Sequence, residues 1–364
     1  MARPLPLSTL LSFTLVAFTI EFDNEVEHRL PHRTSDGGGP ASAPWLISMA
    51  MYFNFLQFVP EQGITVRELE RQTATRPNWD GMRRWGYVFL APDPKDLRPR
   101  PPQAEWLVRT TAQGRVFQEG MRRVLPEIEQ RWRERFGDAA IESLRRGLIA
   151  MLRTLPGGLP DCMPILHYGL TSEGPKERGD PASESECGDL ALPVLLARVL
   201  LGLTLEFEQD AQMSLAICSN IVRVLDPDET LVRHIPALSG VSKDAIAMAL
   251  GFLEKRGFVE VVSQEQARRG RMVLLTSAGI QMQRDYPLRL RIAEERCKAR
   301  MGPEASSALR GALESLGGDG TREGSPLFQG LDPRPEGWRA KVRPPSTLPH
   351  FPMVLHRGGF PDGS

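Results

Sequence analysis

The chain has 364 residues, with 45 Lys plus Arg against 45 Asp plus Glu and a formal net charge of zero at pH 7. Hydrophobic residues at 41% and charged residues at 25% fit a globular protein of two or three domains, at about 150 residues each. The zero balance excludes a global positive field that would draw in nucleic acid or an anionic membrane, so any DNA contact must come from a local concentration of basic residues.

From the N-terminus, Arg3 and the apolar run of residues 10–20 have the outline of a signal peptide. No small-x-small cleavage site follows, and the run passes straight into Glu21-Phe22-Asp23. It also recurs: LLSFTLVAFTIEFD from Leu10 lies on LLARVLLGLTLEFE from Leu195, at a shift of 185. We therefore expect the first helix of a domain that is retained in a cytoplasmic chain, with no stretch long enough to span a membrane. Glu21 and Glu206 follow the matched apolar faces, and a structural pairing with Arg131 or Arg296 is expected for them.

Next, Pro77 in TRPNWDGMRRWGYV can only begin a helix and Gly86 ends it. That leaves a stub of about two turns bearing Trp79 and Trp85, which are expected to fill a thin core. The segment that follows, APDPKDLRPRPPQAEW, is Pro-rich. Candidate phosphate contacts in this half are Arg76, Arg83, Arg84, Arg98 and Arg100.

Residues 106–148 then match residues 271–313 without gaps at a shift of 165. Thirteen of the 43 positions are identical, among them Thr111/Thr276, Gly114/Gly279, Gln118/Gln283, Arg135/Arg300 and Arg145/Arg310. Ordinary composition would give roughly two or three. A weaker echo sets Pro164-Ile165-Leu166-His167-Tyr168-Gly169 against Pro352 and Val354-Leu355-His356-Arg357-Gly358. It reads either as one short docking segment closing each repeat, with His167 and His356 in a structural hydrogen bond, or as two unrelated loops. The organisation expected is repeat one over residues 1–170, a Pro/Gly/Ser-rich linker over 171–191, and repeat two over 192–359. Repeat two carries a Gly- and Pro-dense insertion over about 316–347, expected as a loop without structure of its own.

In repeat two, Leu195, Leu196, Val199, Leu200 and Leu203 predict an amphipathic helix, and a second helix is expected around residues 213–225. The segment DPDETLVRHIPALSGVSKDAIAMALGFLEKRGFV reads as helix, turn, helix. Leu231, Ile235 and Leu238 are expected to face inward. The turn is Ser239-Gly240-Val241. Ser242 is a good N-cap for a helix over 243–255 that stops at Gly257. Residues 258–263 and 271–276 flank the polar loop QEQARRG as a hairpin. A long helix follows to Arg300, then a last one over about 304–316.

The string LGFLEKRGFV (250–259), the basic hairpin loop and LTSAG (275–279) resemble the MarR family of bacterial winged-helix regulators over about 110 residues of repeat two. The resemblance implies a mainly α fold with small β wings, DNA-binding repression, and control by a small-molecule effector or a redox signal. With two repeats it implies tandem winged helix-turn-helix domains forming a pseudo-two-fold body, in which one chain, a monomer, stands in for a homodimer. The DNA contacts it implies are Arg268, Arg269 and Arg271 on the wing, and Ser242, Lys243 and Met248 on the recognition helix. Arg76, Arg83 and Arg84 of repeat one would add backbone contacts. Two features depart from the family: Ala267 stands where an acidic residue usually precedes the wing arginines, and the recognition helix shows Ala245, Ile246, Ala247, Met248 and Ala249. Ala and Met touch thymine methyls but make no bidentate base contact. The rival reading is a winged-helix module for ligand sensing or protein interaction that has lost DNA binding.

Cys162, Cys187, Cys218 and Cys297 form no CxxC pair and have no His cluster, which argues against zinc and fits thiols in a reducing compartment. No catalytic constellation, metal motif or cofactor motif is visible, so an enzyme is not expected.

Overall fold

The computed structural model describes residues 4–30, 48–73, 77, 79–161, 183–263, 270–336, 338–341 and 346–352. The fold is mainly helical, with two small antiparallel sheets. The first half runs α1 (Leu7–Arg29), α2 (Met49–Leu56), β1 (Ile64–Thr65), α3 (Val66–Thr73), α4 (Trp79–Arg84), β2 (Val88–Ala91), β3 (Leu107–Thr110), α5 (Ala112–Phe136) and α6 (Asp138–Leu152). A short helix, α7 (Glu184–Gly188), precedes the second half. That half runs α8 (Leu192–Glu208), α9 (Leu215–Val222), β4 (Thr230–Leu231), α10 (Ile235–Ser239), α11 (Lys243–Lys255), β5 (Val259–Ser263), β6 (Arg271–Leu275), α12 (Ser277–Met301) and α13 (Pro303–Gly317).

The two sheets share one plan. Their orders are β1-β3-β2 and β4-β6-β5. Ile64 pairs with Val108 as Thr230 pairs with Val273, and Val88 with Thr110 as Val259 with Leu275. The identical residues of the two halves do identical work. Thr111 caps α5 by accepting from the Gly114 amide at 2.9 Å while its hydroxyl donates to the Gly86 carbonyl. Thr276 caps α12 on the Gly279 amide at 3.0 Å and donates to the Gly257 carbonyl. A Cβ on Gly114 or Gly279 would lie 1.9 Å from the Tyr87 or Phe258 carbonyl oxygen, so only glycine allows the helix to start so close to the strand end. Gln118 donates to the Leu56 and Val59 carbonyls, and Gln283 to those of Val222 and Leu225.

The centre is built from α1, α6, α8 and α13, with α6 along α13 and α1 along α8. Here the structure corrects the expectation of an amphipathic helix at Leu195. Residues of α8 are buried on nearly every side, and α1 is buried from Leu7 to Phe22 without a break, as helices apolar all round must be. Thr14, Thr19 and Thr204 return their hydroxyls to the carbonyls of Leu10, Leu15 and Leu200, so these polar groups cost little in a dry interior. The halves also exchange contacts. Arg145 at the end of one half bonds the Leu190 carbonyl at 2.9 Å, just before α8. Arg310 at the end of the other bonds the Leu5 carbonyl at 3.0 Å, just before α1.

The Gly- and Pro-dense insertion departs most from expectation. Its described part, together with the residues just after it, is a strap folded over α1, in which Leu327, Phe328, Leu331, Leu348 and Phe351 are buried. Asn24 donates to the Leu331 carbonyl, Arg339 meets Asp23 at 3.5 Å and Glu27 at 3.1 Å, and Arg334 meets Glu25 at 3.5 Å. The strap then crosses to the second half, where Asn220 and the Phe351 backbone exchange two hydrogen bonds.

Smaller corrections follow from length and position. The second helix of repeat two is confined to α9. Of the three positions expected to face inward from one helix, Ile235 is buried, Leu231 lies half-buried in β4 and Leu238 is 52% exposed at the end of the five-residue α10. Residues 184–188, expected as linker, form α7, opened by a capping box between Ser183 and Glu186. Glu21 pairs with Arg135 at 2.7 Å rather than with Arg131, which goes to Glu25 at 2.9 Å. Glu206 pairs with both Arg300 at 2.8 Å and Arg296 at 3.5 Å. Cys162, His167, His356 and linker residues 171–182 lie outside the described residues.

Candidate nucleic-acid interface

The second half presents a helix, a turn and a helix against its sheet. Gly240 makes the turn at φ +74°, the left-handed conformation that glycine adopts at little cost. Strap residue Thr347 lies against this turn, its Oγ1 at 2.6 Å from where a Cβ on Gly240 would stand. Ser242 caps α11 by accepting from the Ala245 amide at 3.3 Å. Ala245, Ile246, Ala249, Leu250 and Leu253 turn inward. Met248, expected among the DNA contacts, is half-buried against the core. The outward face over the first turns of α11 is therefore Lys243, Asp244, Ala247 and Gly251.

Beside this face runs a groove of about 450 Å³. Val232, Pro236, Ile246, Leu250 and Val261 give it apolar walls, and Ala247 and Gly251 leave it open. Three cations stand on it from three elements. Arg233 comes from the 3-10 turn before α10, Lys243 from the first turn of α11, and Arg271 from the first residue of β6. All three are exposed. None forms an ion pair with a carboxylate among the described residues; Arg233 instead lies 3.4 Å from the His234 ring nitrogen. Glu254 also lines the groove, at the C-terminal end of α11, and accepts from the Val261 amide at 3.3 Å. Sequence reasoning misses Arg233. The signal it leaves is a basic residue in the 3-10 turn that leads into α10.

The corresponding face of the first half differs. The helix before the hairpin is the six-residue α4, with Trp79 and Trp85 partly buried against the core. Arg83 and Arg84 are exposed there and have no carboxylate partner among the described residues. The neighbouring arginines are neutralised within the chain. Arg71 is bound to Glu68 at 2.6 Å, Arg67 to Glu105 at 3.5 Å, and Arg98 to Asp96 and Glu105. Arg100 projects from the Pro-rich loop, exposed. Arg76, Arg268 and Arg269 lie outside the described residues.

Other chemistry is sparse. Among the described residues no group of three or more His, Cys, Asp or Glu is placed to hold a metal ion, and no helix is long and apolar enough to cross a membrane. Cys187, Cys218 and Cys297 are free and buried, and burial pushes the Cys218 and Cys297 thiols up, away from the reactive thiolate. Comparison with known proteins gave no match to a family model and none to a curated protein.

Proposed function

We propose that the chain is a DNA-binding transcriptional regulator, a repressor similar to the MarR family, built from two winged helix-turn-helix repeats on one polypeptide. In this reading α10 and α11 are the helix-turn-helix of repeat two, β5 and β6 are its wing, and the central helices take the place of a homodimer interface. The observation that carries it is the convergence of Arg233, Lys243 and Arg271 on one concave face with no acidic partner among the described residues. Three such cations from a helix start, a recognition helix and a wing are what a phosphate backbone neutralises. Arg268 and Arg269, three and two residues before Arg271 in the wing loop, would extend that charge.

The test is duplex binding by the full chain across a salt series. Lys243→Ala with Arg271→Ala should weaken binding to all sequences and flatten the log–log salt slope by about 0.9 for each phosphate no longer neutralised. Arg268→Ala with Arg269→Ala should do the same. Unchanged affinity and slope in both double variants would overturn the reading. A second reading, a winged-helix module for ligand sensing or protein interaction that no longer binds DNA, is favoured by one observation. The outward face of α11 between Asp244 and Glu254 offers Ala247 and Gly251, which have no side-chain hydrogen-bonding groups. Absence of any salt-dependent duplex binding by the unmodified chain selects it.

A further inference from the structure

We propose that repeat two selects its DNA site through the 5-methyl groups of pyrimidines in the major groove, with the apolar groove beside α11 as the reader. This rests on the DNA-binding reading above and names what the same face would recognise.

A recognition helix reads base edges with the side chains it turns outward. Here those between the first and last turns are Ala247 and Gly251, and neither can form the paired hydrogen bonds that distinguish guanine or adenine. Met248 is half-buried against the core. What the groove does offer is apolar surface, from the half-buried Val232 and Val261 and the exposed Ala247. In the major groove the apolar feature of a base edge is the thymine methyl. The occupant is fixed by charge, because Arg233, Lys243 and Arg271 border the groove and call for a polyanion carrying the methyl groups. Glu254 stands at the far end of α11 and Asp244 is exposed in its first turn, so each carboxylate disfavours phosphate and leaves the backbone to the three cations.

Gly251 supplies an independent observation. Glycine inside a helix is less stable than alanine there, and a Cβ at Gly251 would meet nothing within 4 Å. Nothing within the described protein requires glycine at this position. Under this proposal that open space is where a base edge comes close to the helix.

The experiment uses the full chain and a duplex that it selects itself from a random-sequence pool. Thymines in that duplex are replaced one at a time by deoxyuridine, which removes only the methyl. Affinity should fall about fourfold at each contacted position, the transfer free energy of one buried methyl, and replacement elsewhere should have no effect. Gly251→Ala should raise the melting temperature, yet bind the thymine duplex more weakly while binding the deoxyuridine duplex as the unmodified chain does. Equal affinity of the unmodified chain for every deoxyuridine duplex would overturn the methyl reading and leave DNA binding standing. So would a Gly251→Ala variant with undiminished affinity for the thymine duplex. No salt-dependent binding to any duplex would overturn both.

Discussion

His350 shows how one side chain can make the fold sensitive to acid. Its Nδ1 lies 3.3 Å from the Thr9 hydroxyl and its ring stands edge-on to Phe13 at 5.5 Å. Burial, helped by the positive charge of Arg223, pushes its pKa down to about 3 from the ordinary 6.5. The folded chain therefore holds a neutral imidazole while the unfolded chain takes up a proton below pH 6.5. The resulting stability is complete above that pH and is lost as pH falls from 6.5 toward 3. One proton sets the steepest slope, at most about 1.4 kcal/mol per pH unit. Between pH 6.5 and 5.5, above the range where most carboxylates titrate, the melting temperature should fall. His350→Gln should flatten that dependence, and an equally steep fall in the variant would show that another group is responsible.

At the scale of elements, the strap depends on a buried charge. Arg339 is 2% exposed and faces Asp23, itself wholly buried, and Glu27. Removing one partner of such a cluster leaves the other charge uncompensated, so Arg339→Met should destabilise the fold by about 3–5 kcal/mol in denaturant titration. Adding Asp23→Leu should recover part of that stability. A single variant as stable as the parent would mean that the strap contributes little to holding α1. None of this was legible in the sequence. The strap's contacts to α1 join residues more than 300 positions apart, and its short 3-10 turns leave no helical or strand period to read. The matched helices were legible for the opposite reason. Thr111 and Thr276, or Gln118 and Gln283, keep one identity because each pair makes the same local bonds. The partner of Glu21 fell between these cases. Arg131 and Arg135 lie one turn apart on α5, and only packing decides which of them reaches it. At the interface, Ser242 and Lys243 could be placed from the cap alone, whereas Arg233 joins the groove only once the 3-10 turn is set beside α11.

For the whole molecule, the exchanged contacts are reciprocal: Arg145 reaches Leu190 as Arg310 reaches Leu5. Like units packed about a two-fold axis make contacts of this kind. Under the proposed function, one chain would supply both halves of a pseudo-dimer, and its two reading heads would be unequal. We expect a monomer by light scattering and an asymmetric footprint, with one half-site read by repeat two and the other touched only along its backbone. A stable dimer of chains protecting two equal palindromic halves, spaced by one helical turn of about 34–36 Å, would contradict this.

The strap also sets an order of events during synthesis. The buried α1 is made well before several of the groups that enclose it. Leu7 waits for Glu294, Leu5 for Arg310, Asn24 for Leu331 and Ser12 for Pro349. At about 5–20 residues per second, that interval is roughly 15 to 70 seconds. Through it, a helix that is buried over most of its length in the finished fold has no complete enclosure, and the nascent chain is exposed to aggregation at that helix. The closing of α1 therefore waits until the strap, roughly 300 residues further along the chain, has been made.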